Sequence, residues 1–189
     1  MKYLNSTSPF RRVLGDAFER LPAAVGAMHD LAEETDADGL AEIDAAPGIG
    51  PWLIRLIAGL PKPGRNVPIS VNFKPDGRGG EHWRRRFANR RYMSTIVVGE
   101  GRLAGFLVER FGFFRLVFEL QLVDEGLRWS LKRWRWLRVP LPSWTTPSIE
   151  CLESDADDCF VFDIKVSFPF VGHVVDYRGW LKVRAPSAD

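Results

Sequence analysis

The sequence is short of the residues that build disulfide frameworks and metal sites. It has two cysteines and three histidines in 189 residues. Cys151 and Cys159 are too few for a disulfide framework or a zinc site. The histidines, His29, His82 and His173, include no pair at metal-ligand spacing. We therefore expect no metal centre and no bound cofactor.

Long hydrophobic runs are also absent. No segment approaches the length of a membrane span, and the N-terminus MKYLNSTSPFRRVLGDAF lacks the apolar core of a signal peptide. We therefore expect a cytoplasmic protein with no membrane partner. In that compartment Cys151 and Cys159 stay reduced, although in an oxidising compartment they could bond across a hairpin.

An excess of charge of one sign is missing too. The 26 basic and 24 acidic residues leave a formal net charge of +2, whereas nucleic-acid-binding domains are usually strongly basic. Trp134 and Trp136 alternate with arginines in KRWRW, but in an extended strand this alternation puts tryptophans and arginines on opposite faces. The sequence therefore argues against a nucleic-acid site.

The parity of the tryptophans in this region predicts an irregular strand. A regular strand would send Trp129 to one face and both Trp134 and Trp136 to the other. A β-bulge near Lys132 or Arg133 would return both later tryptophans to the inner face.

Alternation of apolar and polar residues dominates the chain after residue 66. The clearest runs are FRLVFELQL, CFVFDIKVSF and HVVDYRGWLKV, and several runs are separated by short Gly-rich or acidic connections typical of hairpins. A long sheet of such strands curls or closes. The residues predicted to face inward are Phe114, Leu116, Phe118, Leu120, Phe160, Phe162, Ile164, Val175 and Tyr177.

The first third of the chain predicts helices instead. Residues 9–32 show helical spacing interrupted by Pro22, which predicts two short helices or one kinked helix, and another helix is predicted at about residues 50–60. ADGLAEIDAA alternates imperfectly and is compatible with a short strand. The fold class is therefore α+β: N-terminal helices followed by a large antiparallel, strongly curved sheet or barrel of about eight or nine strands. One domain, residues 1–189, contains a mainly helical segment (1–65) and the sheet (66–184).

The segment EHWRRRF holds the polar residues that most need an explanation. Alternation puts Glu81, Trp83 and Arg85 on the inner face and leaves the neighbouring arginines in solvent. A buried guanidinium needs a partner, and Glu109 on a neighbouring run is the predicted one. These four residues, with Tyr177, are the predicted ligand-binding set of an otherwise apolar cavity. The alternative is a structural ion pair at the barrel rim without a ligand.

An ordered set of motifs resembles a known family. The strings GLPKPGRNVPISV, GEHWRRRF, LVERFG, FVFDIKV and GHVVDYRGWL resemble, in this order, domain of unknown function 4166, a mainly bacterial family. The resemblance covers most of residues 35–183. In that family the domain occurs alone or follows a saccharopine-dehydrogenase-like nucleotide-binding domain. Because this sequence has no strand followed by G-x-G-x-x-G, the resemblance implies a stand-alone member, and it implies no activity.

Three functions stay open at this point. The leading hypothesis is a binding module whose cavity holds a small lipid-like or hydrophobic ligand. The second is an enzyme that uses Glu109 or Glu81 as acid–base and Arg85 to hold an anion. The third, suggested only by the family's fusions, is an interaction domain for a partner oxidoreductase, which would have a filled core and an exposed apolar patch.

Overall fold

Two short helices form the start of the fold. The computed structural model describes residues 7–88, 90–137 and 139–184, so both ends of the predicted domain, 1–6 and 185–189, lie outside the described residues. Helix α1 spans Pro9–Leu14, helix α2 spans Ala23–His29, and the 3-10 segment Gly15–Arg20 joins them. The backbone N–H of Phe10 donates to Ser8 Oγ, which caps α1. The prediction of two short helices is therefore confirmed.

Helix α3 and eleven strands make up the rest of the chain. Helix α3 spans Ile49–Ile57 and lies between the first two strands, close to its predicted position. The strands are β1 (Thr35–Ala45), β2 (Gly64–Pro75), β3 (Glu81–Phe87), β4 (Arg90–Val98), β5 (Leu107–Phe111), β6 (Phe114–Val123), β7 (Gly126–Trp136), β8 (Val139–Pro140), β9 (Ser148–Ala156), β10 (Cys159–Phe168) and β11 (Gly172–Val183).

Ten of these strands close into an up-and-down barrel. Strands β1 to β7 pair in chain order, β7 pairs with β9, and β9 to β11 continue in order, always antiparallel. Strand β11 then pairs with β1 and closes the barrel. Strand β8 pairs only with the end of β7. Closure leaves the long strands without free edges. The predicted antiparallel barrel is confirmed, with ten strands in the barrel where the sequence indicated eight or nine.

Strand β1 is longer than its sequence indicated. Its eleven residues form part of the barrel, although the segment was assigned to the mainly helical region. The register shifts between Ala41 and Ile43, which breaks the alternation. A side chain at Gly39 would place its Cβ 1.7 Å from the carbonyl oxygen of Trp180 on β11. A bulge and a close backbone approach therefore conceal this strand from a pattern search.

The predicted β-bulge in β7 is present. The pairing of β6 with β7 skips Lys132, which is the additional residue. The bulge brings Trp134 to the barrel interior, where its ring stacks on Phe114 at a centroid distance of 6.1 Å. Trp136, also predicted to face inward, is instead half exposed at the end of β7. That part of the prediction is wrong, because the barrel wall ends before Trp136 is covered.

The N-terminal helices plug one end of the barrel. Phe10, Val25 and Met28 are buried there, and the Phe10 ring lies 5.3 Å from that of Trp129. The backbone N–H of Ala24 donates to a carboxylate oxygen of Asp155 at 2.8 Å, which ties α2 to the β9–β10 hairpin. Every residue predicted to face inward belongs to the buried core or lines the interior.

The connections between strands divide into two ends. The closed end contains α1, α2 and the hairpins β2–β3, β4–β5, β6–β7 and β9–β10. The opposite end, which we call the open rim, contains α3 and the connections β3–β4, β5–β6, β7–β9 and β10–β11. Both cysteines are free, because Cys151 pairs with Ile164 and Cys159 with Ala156, so the thiols do not face each other.

Candidate functional site

The barrel interior contains an open space of about 210 Å³. It extends from Trp83 and Phe160 near the closed end to Phe111 and Phe168 at the open rim. The segment after α3 covers part of it through Leu60 and neighbouring residues. Aromatic and aliphatic side chains form most of the lining, and a few polar groups lie among them.

Arg85 and Glu109 form an ion pair in the wall of this space. Arg85 Nη1 lies 2.9 Å from Glu109 Oε1 and 3.0 Å from Ser94 Oγ. The guanidinium carbon lies 4.6 Å from the ring centroid of Trp83, a cation–π distance. The two charged side chains are 22% and 11% exposed. The predicted pairing is therefore present, and the guanidinium packs on the ring of Trp83.

The guanidinium of Arg85 retains free hydrogen-bonding capacity. Arginine has five N–H donors, yet among the described residues only the Nη1 atom of Arg85 finds a hydrogen-bond acceptor. Arg85 lines the interior, and its Nη2 and Nε groups are the donors left for a further acceptor.

Three further polar groups in the lining lack a partner within the described part of the chain. They are the hydroxyl of Tyr92 and the indole N–H groups of Trp129 and Trp134, all buried. Burial raises the pKa of Tyr92 to about 12, so its hydroxyl stays protonated and can donate. A buried donor without an acceptor costs about 1–3 kcal/mol. Such groups in a native structure are explained by local strain or by an acceptor outside the protein chain, such as a water molecule.

The remaining predicted residues divide between two places. Tyr177 lines the interior, where its ring lies 5.8 Å from that of Phe87, and burial raises its pKa. Glu81 does not line the space and lies at the closed end, almost fully buried, where its Oε2 accepts from Trp83 Nε1 at 2.7 Å. Burial raises the pKa of Glu81. The structure thus brings Arg85, Glu109, Trp83 and Tyr177 together and separates Glu81 from them.

Sequence reasoning missed a second buried polar pair. His29 Nε2 lies 2.6 Å from Glu153 Oε2 at the closed end, and both side chains are buried. Glu153 also lines the interior, whereas His29 stacks on Phe10 with ring centroids 3.8 Å apart. Glu153 lies within β9, three residues before the strand ends at the β9–β10 hairpin. Glu153 follows the buried Cys151 by two residues, so strand alternation places both side chains on the same face. This spacing was the signal available in the sequence.

Metal binding has no visible basis in this site. No group of three or more His, Cys, Asp or Glu side chains in the described ranges is arranged to hold a metal ion.

These features define an up-and-down β-barrel of ten strands with a helical plug and a mostly apolar interior. The chain belongs to the family described as Domain of unknown function (DUF4166), whose model matches residues 21–181. That match includes α2 and nearly the whole barrel, and therefore the Arg85–Glu109 pair. No curated protein and no solved structure matches the chain.

Proposed function

We propose that the barrel binds one small amphipathic molecule, with an apolar chain inside and an oxygen-bearing head group at Arg85. The observation that carries this proposal is the Arg85 guanidinium, which lies in an apolar lining with donors that no described residue uses. The indole N–H groups of Trp129 and Trp134, the Tyr92 hydroxyl and the free edge of Arg85 all belong to the same interior. An acceptor oxygen of the head group would use the free donors of Arg85.

The size of the interior supports a slender ligand. A dry apolar cavity of about 150 Å³ already takes up benzene, and the interior space is about 210 Å³. Pockets for drug-sized molecules are usually about 300–1,000 Å³. A single acyl chain with a carboxyl group, such as a fatty acid, is therefore the ligand that we propose for this space.

The polar groups favour an acceptor head group over a donor. Arg85 and tryptophan side chains donate hydrogen bonds and cannot accept them. Glu109 already neutralises the charge of Arg85, so the head group binds as a neutral acceptor, such as a protonated acid, because an ionised carboxylate would add an uncompensated negative charge. Of the two carboxylates named for the enzyme alternative, only Glu109 lines the interior, because Glu81 lies outside it and its Oε2 accepts from Trp83.

Displacement of an environment-sensitive fluorescent probe tests this function. The competitors are a saturated fatty acid, the alcohol of the same chain length and the matching alkane. We expect the acid to compete best, by about tenfold or more over the alkane, because a hydrogen bond to a charged group contributes about 1.5–3 kcal/mol. Equal competition by all three molecules would contradict a polar head-group site.

A charge-neutral double variant, Arg85→Gln with Glu109→Gln, locates the head group. It removes both members of the pair and so avoids an unpaired buried charge. We expect it to bind the alkane normally and to lose the preference for the acid. Arg84→Gln is the matched control, because Arg84 lies on the same strand with its side chain exposed. A control that loses the preference equally would refute the assignment to Arg85.

A further inference from the structure

Helix α3 presents its apolar stripe to solvent. Apolar residues at positions i, i+3, i+4, i+7 and i+8 normally face a protein core. In α3 the residues with this spacing are all exposed, and Ile49 and Ile57 are 83% and 68% exposed. The opposite side holds the helix on the barrel, where Arg55 donates to the carbonyl of Ala46 at 2.9 Å. The stripe consists of Ile49, Trp52, Leu53, Leu56 and Ile57.

Exposed aromatic residues extend this apolar surface around the open rim. Phe113, in the β5–β6 connection, is 70% exposed, and Phe170, in the β10–β11 connection, is 91% exposed. Trp144 lies 6.1 Å from Phe170 between ring centroids, and Val171 lies beside α3 at Gly50. Most exposed large apolar side chains of the described residues lie at this end; the exceptions are Leu40, Met93, Trp180 and Val183.

Basic residues surround the same end of the barrel. We define a basic collar as the Lys and Arg residues in the connections of the open rim, together with those in the last two strand residues before each connection and the first two after it. Among the described residues of these segments, Asp44 is the only acidic one. The closed end, in contrast, is rich in acidic residues, so the charge is strongly asymmetric although the net charge is only +2. The basic collar consists of Arg55, Lys62, Arg65, Arg86, Arg90, Arg91, Arg110, Arg115 and Arg135.

We propose that the open rim docks on the surface of an anionic lipid bilayer. An amphipathic helix lies in the membrane interface with its apolar side among the head groups, and Lys and Arg side chains add attraction to anionic lipids. Tryptophan favours this interface. The α3 stripe and the exposed aromatic residues of the open rim supply the apolar contact. The exposed members of the basic collar attract the lipid phosphates, whereas Arg55 holds α3 on the barrel.

The charge distribution selects the bilayer among the surfaces that would cover an apolar patch. Two copies of this chain joined through their open rims would bring like charges together, which opposes association. A nucleic acid would meet the charges but would leave the α3 stripe uncovered. An anionic bilayer both covers the α3 stripe and attracts the basic collar, and it places the open rim of the barrel against lipid.

Docking on a bilayer goes beyond ligand binding and differs from one sequence-based expectation. The absence of a hydrophobic run predicted no membrane partner. No helix in the described ranges is long and apolar enough to cross a bilayer. Docking on the surface needs no such helix, because the contact comes from an exposed face.

Flotation of the full chain with lipid vesicles tests the proposal. The probes are vesicles of phosphatidylcholine alone and of phosphatidylcholine mixed with phosphatidylglycerol. We expect the protein to float with the mixed vesicles and to remain in the dense fraction when only neutral vesicles are present. High salt should release it from the mixed vesicles, because salt screens exposed charges. Equal flotation with both, or with neither, would overturn the proposal.

Matched pairs of variants separate the apolar and the basic contributions. Ile49→Ser with Ile57→Ser should reduce partition by about tenfold or more, and the helix should persist because serine and isoleucine have similar helix propensities. Leu40→Thr with Val183→Thr removes exposed apolar residues away from the open rim and should change nothing. A control that lowers partition as much as the α3 variant would overturn the proposal.

The basic collar is tested in the same way. Arg91→Gln with Arg110→Gln should lower partition about 30-fold, since each basic residue near an anionic surface contributes about fivefold. Arg78→Gln with Arg102→Gln makes the same charge change in the β2–β3 and β4–β5 connections of the closed end and should have little effect. Equal losses would mean that total charge, and not the open rim, drives binding. A concentration-dependent dimer that the α3 variant abolishes, without any vesicle binding, would assign the face to a second copy instead.

Discussion

Arg85 on β3 and Glu109 on β5 meet across the intervening strand β4, with 2.9 Å between Nη1 and Oε1. Their contact depends on three strands holding register, and Ser94 on β4 completes it. The first prediction follows from this dependence. Arg85→Ala leaves Glu109 with an uncompensated buried charge and should lower the free energy of unfolding by about 3 kcal/mol.

The neighbouring arginines are the controls for that prediction. Arg84→Ala and Arg86→Ala remove exposed side chains and should each stay within about 0.5 kcal/mol of the parent. Chemical denaturation of the three single variants measures all values under one condition. Equal losses at the three positions would show that the arginines act as one basic surface, and the ion pair would lose its special role.

Glu81 should make stability depend on pH. Burial raises the pKa of its carboxyl above the ordinary value, so the folded state binds its proton more tightly than the unfolded state. The group therefore contributes stability below its unfolded pKa, and this contribution is lost as pH rises through the folded pKa.

Glu81→Gln checks the sign of this effect. Glutamine keeps an acceptor for Trp83 Nε1 but carries no charge, so the variant should melt at a higher temperature than the parent at neutral pH. The difference should shrink at acidic pH, where the parent carboxyl is protonated. A variant that is less stable than the parent at neutral pH would show that the charge of Glu81 is favourable.

The pair of His29 and Glu153 should fasten the plug to the barrel. Both side chains are buried and 2.6 Å apart, so Glu153→Ala should cost about 3 kcal/mol and expose the N-terminal helices to proteolysis. Glu153→Gln keeps an oxygen that can accept from His29 and should cost less. Unchanged protease resistance in Glu153→Ala would contradict the fastening role.

Phe118 and Phe113 test which aromatic residues belong to the core. Phe118 is buried in the barrel, whereas Phe113 projects into solvent at the open rim. Phe118→Ala should cost about 3–5 kcal/mol, and Phe113→Ala should leave stability within about 0.5 kcal/mol. A denaturation midpoint that falls equally in both variants would mean that Phe113 is covered in solution.

The fold was predictable where side chains alternate regularly. FRLVFELQL and CFVFDIKVSF each show one apolar face, and both became barrel strands with that face inside. Strand β1 was underestimated because alternation fails at its bulge and at Gly39. The exposed stripe of α3 has the same spacing as a buried one, so its orientation is set by the barrel and cannot be read from periodicity.

The candidate site was predictable only in part, for a related reason. Alternation places Arg85 inside, and the need to pair its charge leads to Glu109. The contact between His29 and Glu153 joins a short helix to a strand 124 positions away, and no local pattern encodes it. Glu81 shares the parity of Arg85 but lies at the strand's first position, where the plug covers it.

Native mass spectrometry of the purified protein tests the central claim most directly. The protein should retain, or take up from an equimolar mixture of acyl-chain acids, one molecule per chain. Extraction should release a compound with an apolar chain and an acceptor head group, and the Arg85→Gln, Glu109→Gln variant should hold markedly less of it. A folded parent protein that keeps its bare mass when such acids are offered would contradict a ligand-binding barrel.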